Sequence, residues 1–152
     1  MLAARRLLSS SSTSSGLARV GDVGRATRTF SEADVAAFAQ LTHDDNPIHD
    51  DAAFAAAGRF GQPVVHGMLY ASMFGAIVGH RCPGAVYLSQ TLQFRKPVHL
   101  GDTLTAEIEV SRVGGGGRLL DFLTRCTNQS TGELVLDGEA RVMMPREKKR
   151  PS

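Results

Sequence analysis

No acidic residue precedes Asp22, and no apolar run approaches the ~18 residues of a membrane-spanning helix. The chain has only two cysteines, Cys82 and Cys126, with neither CxxC spacing nor the number a disulfide framework needs. Internal repeats and an HExxH helix are also missing. These absences argue against a helical membrane protein, a disulfide-stapled scaffold and a zincin-type hydrolase. The two cysteines read as small buried hydrophobes of a reducing compartment.

What the acid-free N-terminus does contain is Arg5, Arg6 and Arg19, with seven hydroxyl residues in a row from Ser9 to Ser15. Leu2, Leu7 and Leu8 can form the apolar face of a short amphipathic helix beside those arginines. Residues 1–20 therefore read as a transit peptide that is removed, and the leucine–arginine pattern favours the mitochondrial matrix. The loss of three arginines and no acid takes the formal charge from +2 to −1. A near-neutral domain over 21–145 lacks the basic face that nucleic-acid binding requires. Residues 146–152, with Arg146, Lys148, Lys149 and Arg150, read as a solvated basic tail. A chain of 152 residues, 42% hydrophobic, fits one domain with a sizeable core.

Within that domain Ser31 and Asp34 have the spacing of a capping box, and Val35, Phe38 and Leu41 follow at helical intervals. A helix over about 31–42 is expected. Pro47 cannot continue it, so the chain turns between Asp44 and His49. Asp50 is expected to cap a short alanine-rich helix ending at Gly58. GMLYASMFGAIVGH, residues 67–80, is apolar around most of its circumference yet too short for a membrane, so it belongs inside the protein. Gly75 and Gly79 each cost it ~1 kcal/mol of helix propensity, which implies close packing or a passing ligand.

Beyond Pro83-Gly84 the period becomes two. Leu104, Ala106, Ile108 and Val110 alternate with polar residues, as do Leu120, Phe122, Thr124 and Cys126, and Leu134, Leu136, Ala140 and Val142. With 85–94 these make four strands, and the glycines 114–117 and the Ser130-Thr131-Gly132 turn imply antiparallel neighbours. One apolar face per strand calls for a single cover, and helix 67–80 supplies it. The expectation is an α+β domain of one hot-dog fold, a long central helix wrapped by an antiparallel sheet.

The polar stretch LTHDDNPIHDD, residues 41–51, carries the candidate chemistry. An Asn-Pro turn can bring Asp44 and His49 to one side, and a carboxylate beside an imidazole forms a proton-transfer pair. The same residue types also make ordinary turns. In VVHGM, residues 64–68, Gly67 starts the interior helix, where backbone N–H groups point outward and can receive an oxyanion. The alternative is that Gly67 only permits a sharp helix entry, capped by His66.

F-x-x-L-T-x-D-x-N-P-I-H from Phe38 to His49, F-A-A-A-G-R-F-G-Q-P-V-V-H-G-M-L from Phe54 to Leu69, and F-R-K-P-V-x-x-G-D from Phe94 to Asp102 resemble the MaoC-like (R)-specific enoyl-thioester hydratases. Within that family they most resemble the mitochondrial 3-hydroxyacyl-thioester dehydratases of type 2. The resemblance covers about residues 20–145. It implies reversible dehydration of an (R)-3-hydroxyacyl thioester, with Asp44 and His49 catalytic and the Gly67 N–H binding the carbonyl. It further implies no cofactor, no metal, an acyl carrier protein or coenzyme A thioester as substrate partner, and a homodimer. His43 stands where the family commonly has a small residue before the aspartate. Gly75 stands where a helix serine supports that aspartate, which leaves Ser72, one turn earlier, or water to substitute. Asn46 and His66 are further supporting candidates, and Met68, Met73 and Phe74 candidates for the acyl channel. Arg95 and Lys96 are placed to meet a pantetheine or coenzyme A phosphate. Rival readings are a metal hydrolase using His43, Asp44, His49 and Asp50, a hot-dog thioesterase, and a non-catalytic binder of acyl carriers.

Overall fold

Alternating apolar residues become one face of an antiparallel sheet in the computed structural model, which describes residues 16–146. Most of the expected transit peptide, up to residue 15, and the tail from 147 onward lie outside the described residues. Strand β1 (Val23–Thr29) is followed by α1 (Glu32–Thr42), α2 (Ala52–Ala57) and α3 (Gly67–Arg81). Then come β2 (Val86–Gln90), β3 (Gln93–Phe94), β4 (Thr103–Gly114), β5 (Leu119–Asn128) and β6 (Leu134–Met143). The sheet runs β1-β4-β5-β6-β2, and β3 continues the β2 edge by also pairing with β6.

The expected inward residues of β4 and β5 are buried, from Leu104 to Val110 and from Leu120 to Cys126. In β6 the alternation breaks. A register shift sets Leu136 opposite Cys126 but Leu134 opposite Thr127. A bulge of this kind fits an extra residue into one strand, so Val135 and Leu136 are both buried while Leu134, expected inside, is exposed. Two further strands depart from expectation. The run 85–94 is two strands, because the chain between them crosses close over Gly138, where any Cβ would overlap the Thr91 carbonyl. The strand β1 is additional.

Helix α3 lies on the apolar face of the sheet, in contact with β1 and β4. Tyr70, Ala71, Met73, Phe74, Ile77 and Val78 are buried there. Each large apolar side chain so buried contributes ~1.5–3 kcal/mol, which outweighs the propensity cost of two glycines. The expectation of burial all round does not hold, because Met68, Ser72, Gly75, Ala76 and Gly79 form an exposed stripe. A Cβ on Gly75 or Gly79 would meet nothing within 4 Å. Within one chain, then, close packing does not account for these glycines.

Two boundaries also shift. Asp51, not Asp50, caps α2: its Oδ1 accepts the Phe54 N–H at 2.9 Å, and Gly58 ends the helix as expected. The Asn46-Pro47 turn runs one residue longer than the sequence suggests, since the Asp51 N–H still bonds the Pro47 carbonyl. Leu17, inside the segment read as a transit peptide, is 1% exposed and belongs to the core cluster. Gly21 donates to the Val110 carbonyl just before β1 begins. Leu17→Ala should therefore cost ~2–5 kcal/mol in urea unfolding, as core truncations do. A change within experimental error would show that the segment is dispensable to the fold.

Candidate active site

The Ser31-Asp34 capping box forms as expected: the Ser31 hydroxyl accepts the Asp34 N–H and the Asp34 carboxylate accepts the Ser31 N–H. It starts α1 so that the helix ends at Thr42 with the polar turn just beyond. His43 closes the helix in the left-handed conformation, at φ 60°. A left-handed position explains why a small residue, glycine above all, suits this site: a Cβ there costs energy that glycine avoids. His43 itself is exposed.

A ladder of side-chain-to-backbone bonds then shapes the turn. The Thr42 hydroxyl accepts the Asp44 N–H at 3.3 Å, Asp44 Oδ1 accepts the Asn46 N–H at 3.4 Å, and Asn46 Oδ1 accepts the Ile48 N–H at 3.3 Å. Asn46 thus holds the turn, as asparagine commonly does. The Ile48 carbonyl accepts the Val64 N–H, and the Val64 carbonyl accepts from His49 Nδ1 at 2.7 Å. These bonds fasten the turn to the segment that enters α3.

The fastening brings Asp44, His49 and His66 together. Asp44 Oδ2 lies 3.9 Å from Nε2 of each histidine, and His66 Nε2 lies 3.3 Å from the Asp44 main-chain carbonyl. The two imidazoles stack with centroids 3.7 Å apart and planes 24° from parallel. Both histidines are buried, whereas the Asp44 side chain is 49% exposed. A carbonyl only accepts, so His49 carries its proton on Nδ1 and, when neutral, turns the Nε2 lone pair toward Asp44. Burial holds His66 below the ordinary histidine pKa, which favours its neutral form near pH 7.

A cavity of about 470 Å³ opens in front of these groups, lined by Asp44, His49, His66, Gly67, Met68, Tyr70 and Phe94, with Arg59, Arg95 and Lys96 also on its wall. This size falls within the usual range for small-molecule sites. A larger cavity of about 780 Å³ lies between Leu17, Gly117, Arg118 and Arg146, with no carboxylate or imidazole on its wall among the described residues. It offers no acid/base pair, so the chemistry belongs to the smaller cavity.

Gly67 is the first residue of α3, and its N–H is one of the donors that a helix start leaves without an intrahelical acceptor. The Phe94 ring packs against it so closely that a Cβ at 67 would sit 2.6 Å from the ring. A side chain here would have to displace the Phe94 ring. His66 precedes the helix but makes no side-chain capping bond, so the capping alternative is not realised.

Several expected residues sit elsewhere. The Ser72 hydroxyl donates to the Leu69 carbonyl at 2.6 Å on the exposed side of α3, away from Asp44. Met73 and Phe74 are buried in the core and do not line the cavity; Met68 does. Arg95 is engaged twice by Asp137, and Lys96 lies 3.7 Å from Glu133. Arg59, Phe60, Tyr70 and Phe94 reach the cavity without having been given a role from sequence. Their signal was available: Arg59-Phe60 and Phe94 lie inside the quoted motifs, but nothing local tells a cavity wall from a solvated loop.

The metal set of the rival hydrolase reading does not assemble among the described residues, since His43 and Asp50 are exposed and off the cavity wall. Asp44, His49 and His66 do hold ligand atoms within 4.8 Å of one another. Their geometry suits a metal poorly, because an ion on the lone-pair axis of one stacked imidazole lies out of the plane of the other. His66 Nε2, moreover, must carry hydrogen to donate to the Asp44 carbonyl.

Known proteins share this architecture and sequence. The mitochondrial 3-hydroxyacyl-[acyl-carrier-protein] dehydratase FERN of Solanum lycopersicum is 40% identical over 147 residues, 95% of this chain and 88% of that protein. The (R)-specific enoyl-CoA hydratase of Aeromonas caviae is 44% identical over 128 residues, 83% of this chain and 95% of that protein. The solved structure of the A. caviae (R)-hydratase involved in PHA biosynthesis superposes with a TM-score of 0.80 at 43% identity, covering 84% of this chain and 97% of that one. The hot-dog arrangement of one central helix on an antiparallel sheet is therefore shared, and the MaoC like domain matches residues 20–128. With a carboxylate, an imidazole and a helix start around one cavity, and with these relatives, the chain belongs to the MaoC-like dehydratase family.

Proposed function

We infer that the protein is a 3-hydroxyacyl-thioester dehydratase, equally an (R)-specific enoyl-thioester hydratase, with Asp44 and His49 as its acid/base pair. The observation that carries this reading is the 3.9 Å separation of Asp44 Oδ2 and His49 Nε2 on the wall of a cavity that also contains Gly67. Two hydrogen-bond acceptors facing each other across that distance suit a water or hydroxyl that donates to one or both. In the hydration direction such a water adds its oxygen to C3 of the enoyl thioester while a proton is delivered to C2. In dehydration the proton taken from C2 leaves with the 3-hydroxyl as water, so the pair ends the turnover as it began. The C2 proton is only weakly acidic until the carbonyl oxygen is stabilised as an enolate, and the Gly67 N–H at the positive end of α3 is the donor for it. No redox change occurs, and no step calls for a cofactor.

The substrates are thioesters of acyl carrier protein or coenzyme A, and the site of action is the mitochondrial matrix. This rests on the arginine- and serine-rich N-terminus and on relatives named as mitochondrial, beside bacterial relatives of similar identity. The working unit is a homodimer. The edge strand β2 with its exposed Val86 and Leu88, and the exposed small-residue stripe of α3, are the surfaces a second copy would cover. The test is hydration of crotonyl and longer enoyl thioesters followed by loss of enoyl absorbance, with free thiol measured in parallel. Loss of the enoyl signal without thiol supports a hydratase. Thiol release instead would establish a thioesterase, and neither signal would leave only a carrier-binding role.

A further inference from the structure

We propose that His66 is a positioning residue for this reaction, holding Asp44 by its main-chain carbonyl and backing the His49 ring so that the two reactive groups keep their spacing. The proposal rests on the dehydratase reading and goes beyond it by assigning His66 a specific task and a specific tautomer.

His66 is 1% exposed and sits between two rings, stacked on His49 at 3.7 Å and tilted against Phe38 at 5.0 Å. Its Nε2 lies 3.3 Å from the Asp44 carbonyl oxygen. Because a carbonyl cannot donate, Nε2 bears the hydrogen. The other nitrogen, Nδ1, is buried with no hydrogen-bond partner among the described residues. In the neutral Nε2–H form that atom is a bare lone pair; protonation would place an N–H there with nothing to receive it, a costly arrangement in a buried site. Desolvation acts most strongly on His66 and a charge on His49 acts in the same direction, while the bond to the Asp44 carbonyl and the Asp44 and Asp50 carboxylates oppose them; the net shift is downward.

This constraint also settles what His66 does not do. One nitrogen is occupied by the Asp44 carbonyl and the other is enclosed, so neither is free to exchange a proton with substrate. Its influence passes through its neighbours: the Asp44 main chain, the face of the His49 ring, and Gly67, the next residue along the chain. His49 and His66 consequently hold opposite tautomers, Nδ1–H for the first and Nε2–H for the second. Each is dictated by a different backbone carbonyl.

Imidazole nitrogen NMR of the intact protein near neutral pH reads these tautomers directly, without reference to activity. Nε2–H at His66 and Nδ1–H at His49 are expected. Finding His66 protonated, or carrying its hydrogen on Nδ1, would overturn the proposal whatever the enzyme does. Kinetics supply the second arm. His66→Phe keeps a ring against His49 but removes the donor, and should lower kcat by ~10- to 100-fold with KM nearly unchanged, as loss of a group that orients a reactive residue commonly does. His66→Gln, whose amide can reach the same carbonyl, should recover most of that loss. A folded His66→Phe variant with unchanged kcat would refute the positioning role. So would His66→Gln as slow as His66→Phe, because a donor returned to the Asp44 carbonyl would then recover none of the loss. If His66→Phe does not fold, a folded His66→Gln near the original kcat supports the proposal and a slow one refutes it. Absence of hydration by the unsubstituted protein would reject the dehydratase reading and this proposal with it, whereas an active protein with the wrong His66 tautomer rejects the proposal alone.

Discussion

Asp44→Asn and His49→Ala should each slow hydration of crotonyl thioester by ~10²- to 10⁴-fold while leaving the domain folded, the range expected for loss of a positioned acid or base. Asp44 is the cleaner of the two. Its side chain is half exposed and asparagine has nearly its shape, so the Oδ1 contact to the Asn46 N–H survives. What changes is the charge facing His49 and the capacity to take a proton. His49→Ala also removes the partner of the Val64 carbonyl, and a buried acceptor left unpaired costs ~1–3 kcal/mol. Its assay therefore belongs well below its melting temperature, with circular dichroism as the check on folding. Because groups that act as a unit are not additive, the double variant should be little slower than the slower single one. Turnover near the original rate in either single variant would remove that residue from the mechanism.

Gly67→Pro should cost a further ~10²- to 10³-fold in kcat relative to Gly67→Ala, the usual penalty for losing one oxyanion donor. Proline is suited to this position because the first helical residue has no intrahelical acceptor for its N–H. His66 before it is already extended, at φ −54° and ψ 127°, as a residue preceding proline must be. Both substitutions introduce the Cβ that meets Phe94 at 2.6 Å, so that contact is shared, whereas only proline removes the donor and puts its ring Cδ in place of the amide hydrogen. Carrying both in a Phe94→Ala background relieves the contact and isolates the N–H. Equal kcat for the proline and alanine variants would move carbonyl stabilisation away from Gly67.

Helices, hairpins and the reactive turn were legible in the chain because their signals are local. Ser31 and Asp34 announce the start of α1, Pro47 ends any helix near Asp44, and the glycines 114–117 sit between two alternating runs that pair as expected. Strand β1 was missed for a physical reason. As an edge strand reading VGRATRT it buries only Gly24, so it has almost no alternation to detect. The β6 bulge was invisible because the inward position passes from Leu134 to Val135 through a register shift, and both residues are equally apolar. Leu17 was read with its arginine- and serine-rich neighbours, although its burial depends on residues far along the chain such as Cys82, whose thiol contacts the Leu17 carbonyl.

For the site, residue types and spacing made Asp44, His49 and Gly67 candidates beside ordinary turn and helix-entry readings, and the family resemblance singled them out. Sequence alone thus determined the chemical inventory, the α+β class and the turn that bends Asp44 back toward His49, since each follows from bonding and steric preferences within a few residues. The tertiary structure decided which backbone carbonyl each histidine ring meets, that His66 stacks on His49, and that Phe94 covers Gly67. Those outcomes depend on carbonyls and rings supplied by segments distant in sequence, and only packing of the helix against the sheet brings such segments within hydrogen-bond reach.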